Sequence, residues 1–297
     1  MTLALHHPAG TLRADGFDVH LTPEHAGWGY SGLMVLTLEA SETREVVLDG
    51  VEAMVLPLGI TSVAVEVDGQ SFMLEGRTSV FDRVSDFVYA PLGSVVRVTA
   101  SSAGDLAIAT SRCEHRHEPR YGAADRVQID VFGAGPATRQ RNALMAPEVW
   151  PDADRLMCVE LLTPDGNWSS YPPHRHDDSP ECPVNNEEIY YFRLGALEGR
   201  DAAAFGMHRT YTPEGDIDEN VVVRDGDVFC VPRGYHGPCI AAPGYPMYYL
   251  NVLAGPSGER SMAFCDDPAH HWVRDTWADM ARDPRVPLTD HRGRRTT

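Results

Sequence analysis

Short apolar, β-branched runs recur along this chain, with Gly and Pro between them. The first group lies at residues 46–48, 63–67, 87–89, 95–98 and 106–109. A second group follows at 156–161, 188–192, 207–211, 228–231 and 247–253. Runs of this length, bounded by turn residues, predict strands. Almost no 3.6-residue periodicity separates them, so the predicted class is all-β, with two paired barrels or sandwiches. The polar stretch 114–137, with its Glu-Pro, Tyr-Gly and Gly-Pro steps, reads as the crossover. The expected units are residues 1–120 and 121–297. One short helix is expected near the C-terminus, capped by Asp267, entered through Pro268 and striped by Trp272, Val273, Trp277 and Met280. Asp283-Pro284 should stop it, leaving 285–297 loose.

A length of 297 residues agrees with about two domains. The 43 acidic residues outweigh 25 basic ones, for a formal charge of −18. Such a surface repels phosphate backbones, so nucleic acid is not an expected partner. All the basic residues are Arg and none is Lys, which excludes Schiff-base, pyridoxal and P-loop lysine chemistry. Apolar runs are too short to span a bilayer, and no signal-like segment opens the chain. A soluble, cytoplasmic protein is expected. The six Cys, at 113, 158, 182, 230, 239 and 265, have no paired spacing and read as reduced thiols.

Candidate chemistry concentrates after Tyr171. In Tyr-Pro-Pro-His174-Arg175-His176, alternation along a strand puts both imidazoles on one face, where they can grip a divalent ion. Glu187-Glu188-Ile-Tyr190-Tyr191-Phe192-Arg193-Leu-Gly195 reads as a further strand. Gly226 and the turn Pro232-Arg233-Gly234 then lead to His236. These strings resemble the two motifs of the cupin superfamily. Glu188, seven positions before Gly195, fits the motif; Glu187 is the alternative ligand. Two spacings depart from the pattern. A longer loop, 177–187, separates His176 from Glu188, and Gly234 is followed by His236 after one residue instead of two. The expected ligand set is His174, His176, Glu188 and His236. His115-Arg-His117 lies in the crossover and reads as surface. Gly133-Ala-Gly135 lacks the features of a dinucleotide loop. In the first half, Gly76 and Pro91-Leu-Gly93 resemble a worn second motif without histidine, which implies a metal-free barrel.

Longer strings are more specific. Gly166-Asn-Trp168-Ser-Ser-Tyr-Pro-Pro-His-Arg-His-Asp177, Gly206-Met-His-Arg209-Thr-Tyr211-Thr, Gly244-Tyr-Pro-Met-Tyr-Tyr-Leu-Asn251 and Asp267-Pro-Ala-His-His-Trp resemble the 5-deoxy-glucuronate isomerases of inositol catabolism. The likeness to the 4-deoxy-hexuronate isomerases of pectin breakdown is looser. The nearer resemblance implies conversion of 5-deoxy-D-glucuronate to 5-dehydro-2-deoxy-D-gluconate, with one divalent ion: zinc, manganese, iron or nickel. Proton transfer needs a base, for which Glu160, Asp177, Tyr190, Tyr211 and a metal-bound hydroxide are candidates. Alternation from Glu188 puts Tyr190 and Phe192 on the ligand face. A carboxylate substrate in a Lys-free protein calls for Arg. Arg209 is favoured and Arg233 is second, while Arg175 should point away. Trp168 is a candidate for stacking on sugar. An iron dioxygenase and a non-catalytic binding protein are the competing readings. The expected partners are a small sugar acid and, through exposed barrel faces, further copies of the chain.

Overall fold

Some runs are apolar at every position and others alternate; the architecture explains why. In the computed structural model, which describes residues 4–195 and 204–294, two sheets are covered on both faces. One contains the strands Ser31–Leu38, Val51–Pro57, Phe87–Ala90 and Gly104–Arg112, flanked by Val19–Leu21 and Arg120–Gly122. The other runs His6–His7, Val228–Val231, Glu187–Leu194, Met247–Ala254, Met157–Thr163, Arg139–Ala143 and Gln128–Phe132. Strands buried on both sides are apolar nearly throughout, and Met247–Ala254 is buried along its whole length.

These two sheets pack face to face through one shared core. Leu33, Val35, Met54, Leu56 and Tyr89 from the first meet Cys158, Leu162, Ile189, Tyr191, Tyr248 and Leu250 from the second. Each sheet turns its opposite face into its own barrel. The first barrel is closed by Thr43–Val47, Val95–Ala100, Thr61–Val67 and Gln70–Gly76. The second is closed by Asp218–Val223, Gly206–Tyr211, Tyr235–Ala241, His174–Arg175 and Cys265–Asp266. These closing sheets have one solvated face, and their strands alternate accordingly, as in Val95–Ala100.

Strand parity therefore assigns each side chain to one of three places: a barrel, the shared core or solvent. Glu160 shares its parity with Cys158 and Leu162 and lies between the halves. There its carboxylate accepts from Arg77, from Asn142 at 2.9 Å and from the Tyr248 hydroxyl at 2.9 Å. The halves are also joined by Glu187, whose carboxylate accepts the N–H groups of Gly29, Tyr30 and Ser31 at 2.6, 2.8 and 2.9 Å. His6–His7, on the first-half side of the expected boundary, adds to the second half's sheet beside Val228–Val231.

Three expectations change. The C-terminal helix is there but short: Val273–Thr276, continued as a 3₁₀ turn at Trp277–Asp279. It does not begin at Pro268. The Asp267 carboxylate instead takes the Ala269 N–H at 2.8 Å and the Tyr211 hydroxyl at 2.5 Å, which makes a local turn. Residues 285–294 are anchored. Gln140 Oε1 accepts the N–H groups of Leu288 and Thr289 at 2.7 and 3.1 Å, and Arg285 pairs with Asp165 at 2.7 Å. Cys182 and Cys265 form a disulfide. The 177–187 loop folds back beside the strand pair in which Arg175 faces Cys265. Their separation of 83 residues hid the pair from spacing arguments. Cys113, Cys158, Cys230 and Cys239 are free.

Candidate metal centre

Strand Glu187–Leu194 positions the centre. Glu187 faces the shared core, so the next residue, Glu188, faces the second barrel with Tyr190 and Phe192 behind it. Tyr235–Ala241 brings His236 opposite, and His174 pairs with His236 across the ladder. His176 follows at the end of that short strand. Gly234 makes the turn possible: its φ is +85°, and a Cβ there would lie 2.7 Å from the Tyr211 carbonyl oxygen.

Donor atoms of His176, Glu188 and His236 all lie within 4.8 Å of one another, and all three residues are buried. His176 Nε2 and His236 Nε2 each lie 3.1 Å from Glu188 Oε2. His176 Nδ1 faces the Asn186 carbonyl at 3.0 Å, and Asn251 Nδ2 donates to Glu188 Oε1 at 2.5 Å. Partners of this kind fix a ligand's orientation from behind. His174 is adjacent, its ring centroid 4.4 Å from that of His236, but its nitrogens fall outside the 4.8 Å group. Its Nδ1 faces the Pro172 carbonyl at 3.4 Å.

Electrostatics suit a cation. Burial would raise the Glu188 pKa, yet contacts with His176 and His236 hold it well below the usual carboxylate range. Burial, with His236 and His176 nearby, pushes His174 down, leaving a neutral imidazole with a free lone pair. Although Glu188 Oε2 lies 3.1 Å away, His236 Nε2 makes no well-directed hydrogen bond among the described residues. An orphaned nitrogen costs stability in a dry interior, and a divalent ion would satisfy it. The imidazole and carboxylate donors fit zinc, manganese, iron or nickel.

The centre opens on a cavity of about 210 Å³. Tyr190 lines it, its hydroxyl 3.4 Å from Ser170 Oγ. Burial, then the Glu188 charge, pushes the Tyr190 phenol well above its ordinary pKa, so it stays protonated. The remaining candidates lie elsewhere. Arg209 and Tyr211 share outward parity with exposed Met207, while His208 and Thr210 face in. Arg209 pairs with Asp218 at 3.3 Å and covers the Tyr211 ring. Arg233 is exposed on the turn and pairs with Asp216. Asp177 accepts the Gly234 N–H at 2.8 Å and the Ser179 N–H at 3.2 Å. Burial raises its pKa, but these donors outweigh it and keep the carboxyl ionised, so it ties the loop to the turn. Trp168 packs edge-on to Tyr171 and lines a neighbouring apolar groove with Trp272 and Trp277. Glu160 is sealed in the shared core. Arg175 points away from the centre, over the Tyr235 ring, and exposed His115 pairs with Asp154.

Sequence reasoning passed over Asn251 and the arginines of Arg139–Ala143. Alternation would have found Asn251, which has the parity of Met247 and Tyr249; Arg139 and Arg141 share one face of a strand that only its pairing reveals.

Two stacked β-barrels, one with a buried His/Glu cluster beside a cavity, make a cupin-type fold with a potential metal site. The KduI/IolB family pattern matches residues 5–273, and the chain belongs to that family. It is 36% identical over 273 residues to a protein of Geobacillus kaustophilus named 5-deoxy-glucuronate isomerase, covering 91% of this chain and 95% of that one. An IolB-like protein from Salmonella typhimurium superposes with a TM-score of 0.82 at 30% identity, over 91% of this chain and 99% of the other. Oxalate decarboxylase from Lactobacillus farciminis, 10% identical, shares the fold with a TM-score of 0.62 over 90% and 89% of the two chains.

Proposed function

We propose that this protein is a cytoplasmic 5-deoxy-glucuronate isomerase of inositol catabolism, converting 5-deoxy-D-glucuronate to 5-dehydro-2-deoxy-D-gluconate. One observation carries the reading: nearly the whole chain aligns with relatives of that name, and the aligned span includes the buried cluster. His176, Glu188 and His236 would hold a divalent ion, with His174 turning in as a fourth ligand. When bound, such an ion supplies Lewis-acid polarisation of a carbonyl oxygen and its neighbouring hydroxyl.

The conversion removes the C2 proton, places a proton on C1 and moves the hydroxyl proton from O2 to O1. The chain's own groups answer these needs in part. Tyr190, protonated at neutral pH, is suited to donate to an oxygen on which charge develops. Its hydroxyl continues through Ser170 to the Tyr249 hydroxyl at 3.1 Å and on to Ser169 at 2.8 Å, a buried line of exchangeable protons. Asn251 fixes the Glu188 carboxylate. The apolar walls at Val159, Leu161 and Leu253 exclude water from an enediol.

The test follows ketose formation from 5-deoxy-D-glucuronate by NMR in deuterium oxide, before and after chelation. Turnover should appear, fall on chelation, return with added metal and be accompanied by deuterium at C1. A folded, metal-loaded sample without turnover would sink the reading.

A further inference from the structure

We infer that Arg139 receives the carboxylate of the substrate, an inference that rests on the isomerase reading above. Three arginines line the cavity: Arg139, Arg141 and Arg274. Two already have anions. Arg141 pairs with Asp130 at 2.7 Å and Glu148 at 2.6 Å. Arg274 grips both oxygens of Asp266 at 2.5 and 2.6 Å. Among the described residues, Arg139 has no carboxylate within ion-pair distance. There it gives one hydrogen bond, from Nη1 to the Ala137 carbonyl at 3.1 Å, and its Nε–H is buried with no acceptor.

The residue is 9% exposed, so water does little to replace the missing anion. A buried, uncompensated guanidinium is costly. Burial, reinforced by Arg274, pulls its pKa down to about 10. Asp266, the carboxylate whose field reaches it, is already held by Arg274 and by His271 at 2.8 Å. Phe132 and Trp277 hold the planar group, with its carbon 5.7 and 5.8 Å from their ring centroids. A fork fixed between rings, with donors to spare, suits bidentate capture of a carboxylate. His174, His176 and Glu188 line the same cavity. One sugar acid can therefore present its aldehyde end to the cluster and its carboxylate to Arg139. Arg209 and Arg233 cannot serve, because both lie on the outer surface beside their own acids.

The experiment is calorimetric titration of the metal-loaded protein with D-glucuronate and with D-glucuronamide, its uncharged near-isostere. The wild type should prefer glucuronate on the order of 100-fold, as expected for a desolvated ion pair, and R139Q should abolish the preference. R139K keeps the charge but loses the fork and should retain about a tenth of the preference. It also decides the matter if R139Q does not fold. Overturning results are equal binding of the two ligands by wild type, no glucuronate binding, or a preference unchanged in either variant. Turnover separates the two readings. An Arg139-dependent preference without conversion of 5-deoxy-D-glucuronate would remove the isomerase and leave the anion subsite. Conversion with unchanged KM in R139Q would do the reverse.

Discussion

Inward-facing positions of the two barrels carry different chemistry: Val63, Val65, Val96 and Val98 fill the first, whereas Glu188, Tyr190, His236 and Asn251 line the second. The turns that lead into these positions are alike, since Gly93 and Gly234 have φ of +71° and +85°. Beyond the first turn the side chain that faces the barrel is Val96; beyond the second it is His236. The apolar cluster of the first interior is aliphatic, with Phe17 and Phe72 packed at its edge. The second leaves His236 Nε2, Asn251 Oδ1 and Arg139 Nε without hydrogen-bond partners among the described residues. The second barrel therefore carries buried polar groups at a cost in stability, where ligands would complete them.

The sharpest way to break this contrast is Glu188→Gln. The amide keeps the volume but removes the only carboxylate in the cluster of three. Bound metal, measured by elemental analysis of the purified protein, should fall below stoichiometric. Turnover should drop about 10³-fold, the scale of several kcal/mol of lost charge stabilisation. Full metal content and activity in this variant would mean that the second barrel's polar interior is not the working site.

Leu36→Ala tests the other side. Leu36 is fully buried in the first barrel's aliphatic core, and a cavity there should cost about 2–5 kcal/mol. Calorimetry should show Tm lowered by several degrees, while kcat and metal content at 25 °C stay at the wild-type level. A loss of kcat larger than the loss of folded protein would show that the first barrel takes part in the chemistry.

Much of this division is legible in the residues, and strand parity is the reason. Alternation from Glu188 reaches Tyr190 and Phe192, which do face the second barrel, whereas the strand after Gly93 carries Val96 and Val98 in place of histidine. The same rule was available for Met207, Arg209 and Tyr211, which share an outward face, but their membership of a distinctive string drew attention inward. Arg139 escaped for a different reason. Arg139–Ala143 contains no β-branched residue, and pairing with Gln128–Phe132 and Met157–Thr163 makes it a strand. Tertiary context overrides local propensity there. Glu160 misled because a carboxylate near the motifs looks catalytic. Only the face-to-face packing of two sheets reveals an interior between the barrels, where Arg77 neutralises it. The tethered segment at 285–294 and the Cys182–Cys265 pair likewise depend on contacts between residues distant in sequence.

The smallest expected effect separates the inside of the second barrel from its outside. Arg209→Gln removes a guanidinium whose side chain is 42% exposed and whose acidic partner, Asp218, is 60% exposed. Its Nη2 lies 3.3 Å from Asp218 Oδ1, and its charge sits 4.1 Å from the centre of the Tyr211 ring. Exposed ion pairs contribute about 0–1 kcal/mol and exposed cation–π contacts about 0.5–1 kcal/mol. Tm should therefore fall by no more than a few degrees. Because Tyr211 keeps its bond to Asp267, the outer sheet should hold its shape. KM for 5-deoxy-D-glucuronate should stay within about twofold of wild type, within the small range expected for a surface substitution away from the site. A tenfold rise in KM at unchanged kcat would place the substrate's carboxylate on the outer sheet. The cavity would then be only part of the binding site, and the contrast between the barrels would have to extend to their outer surfaces.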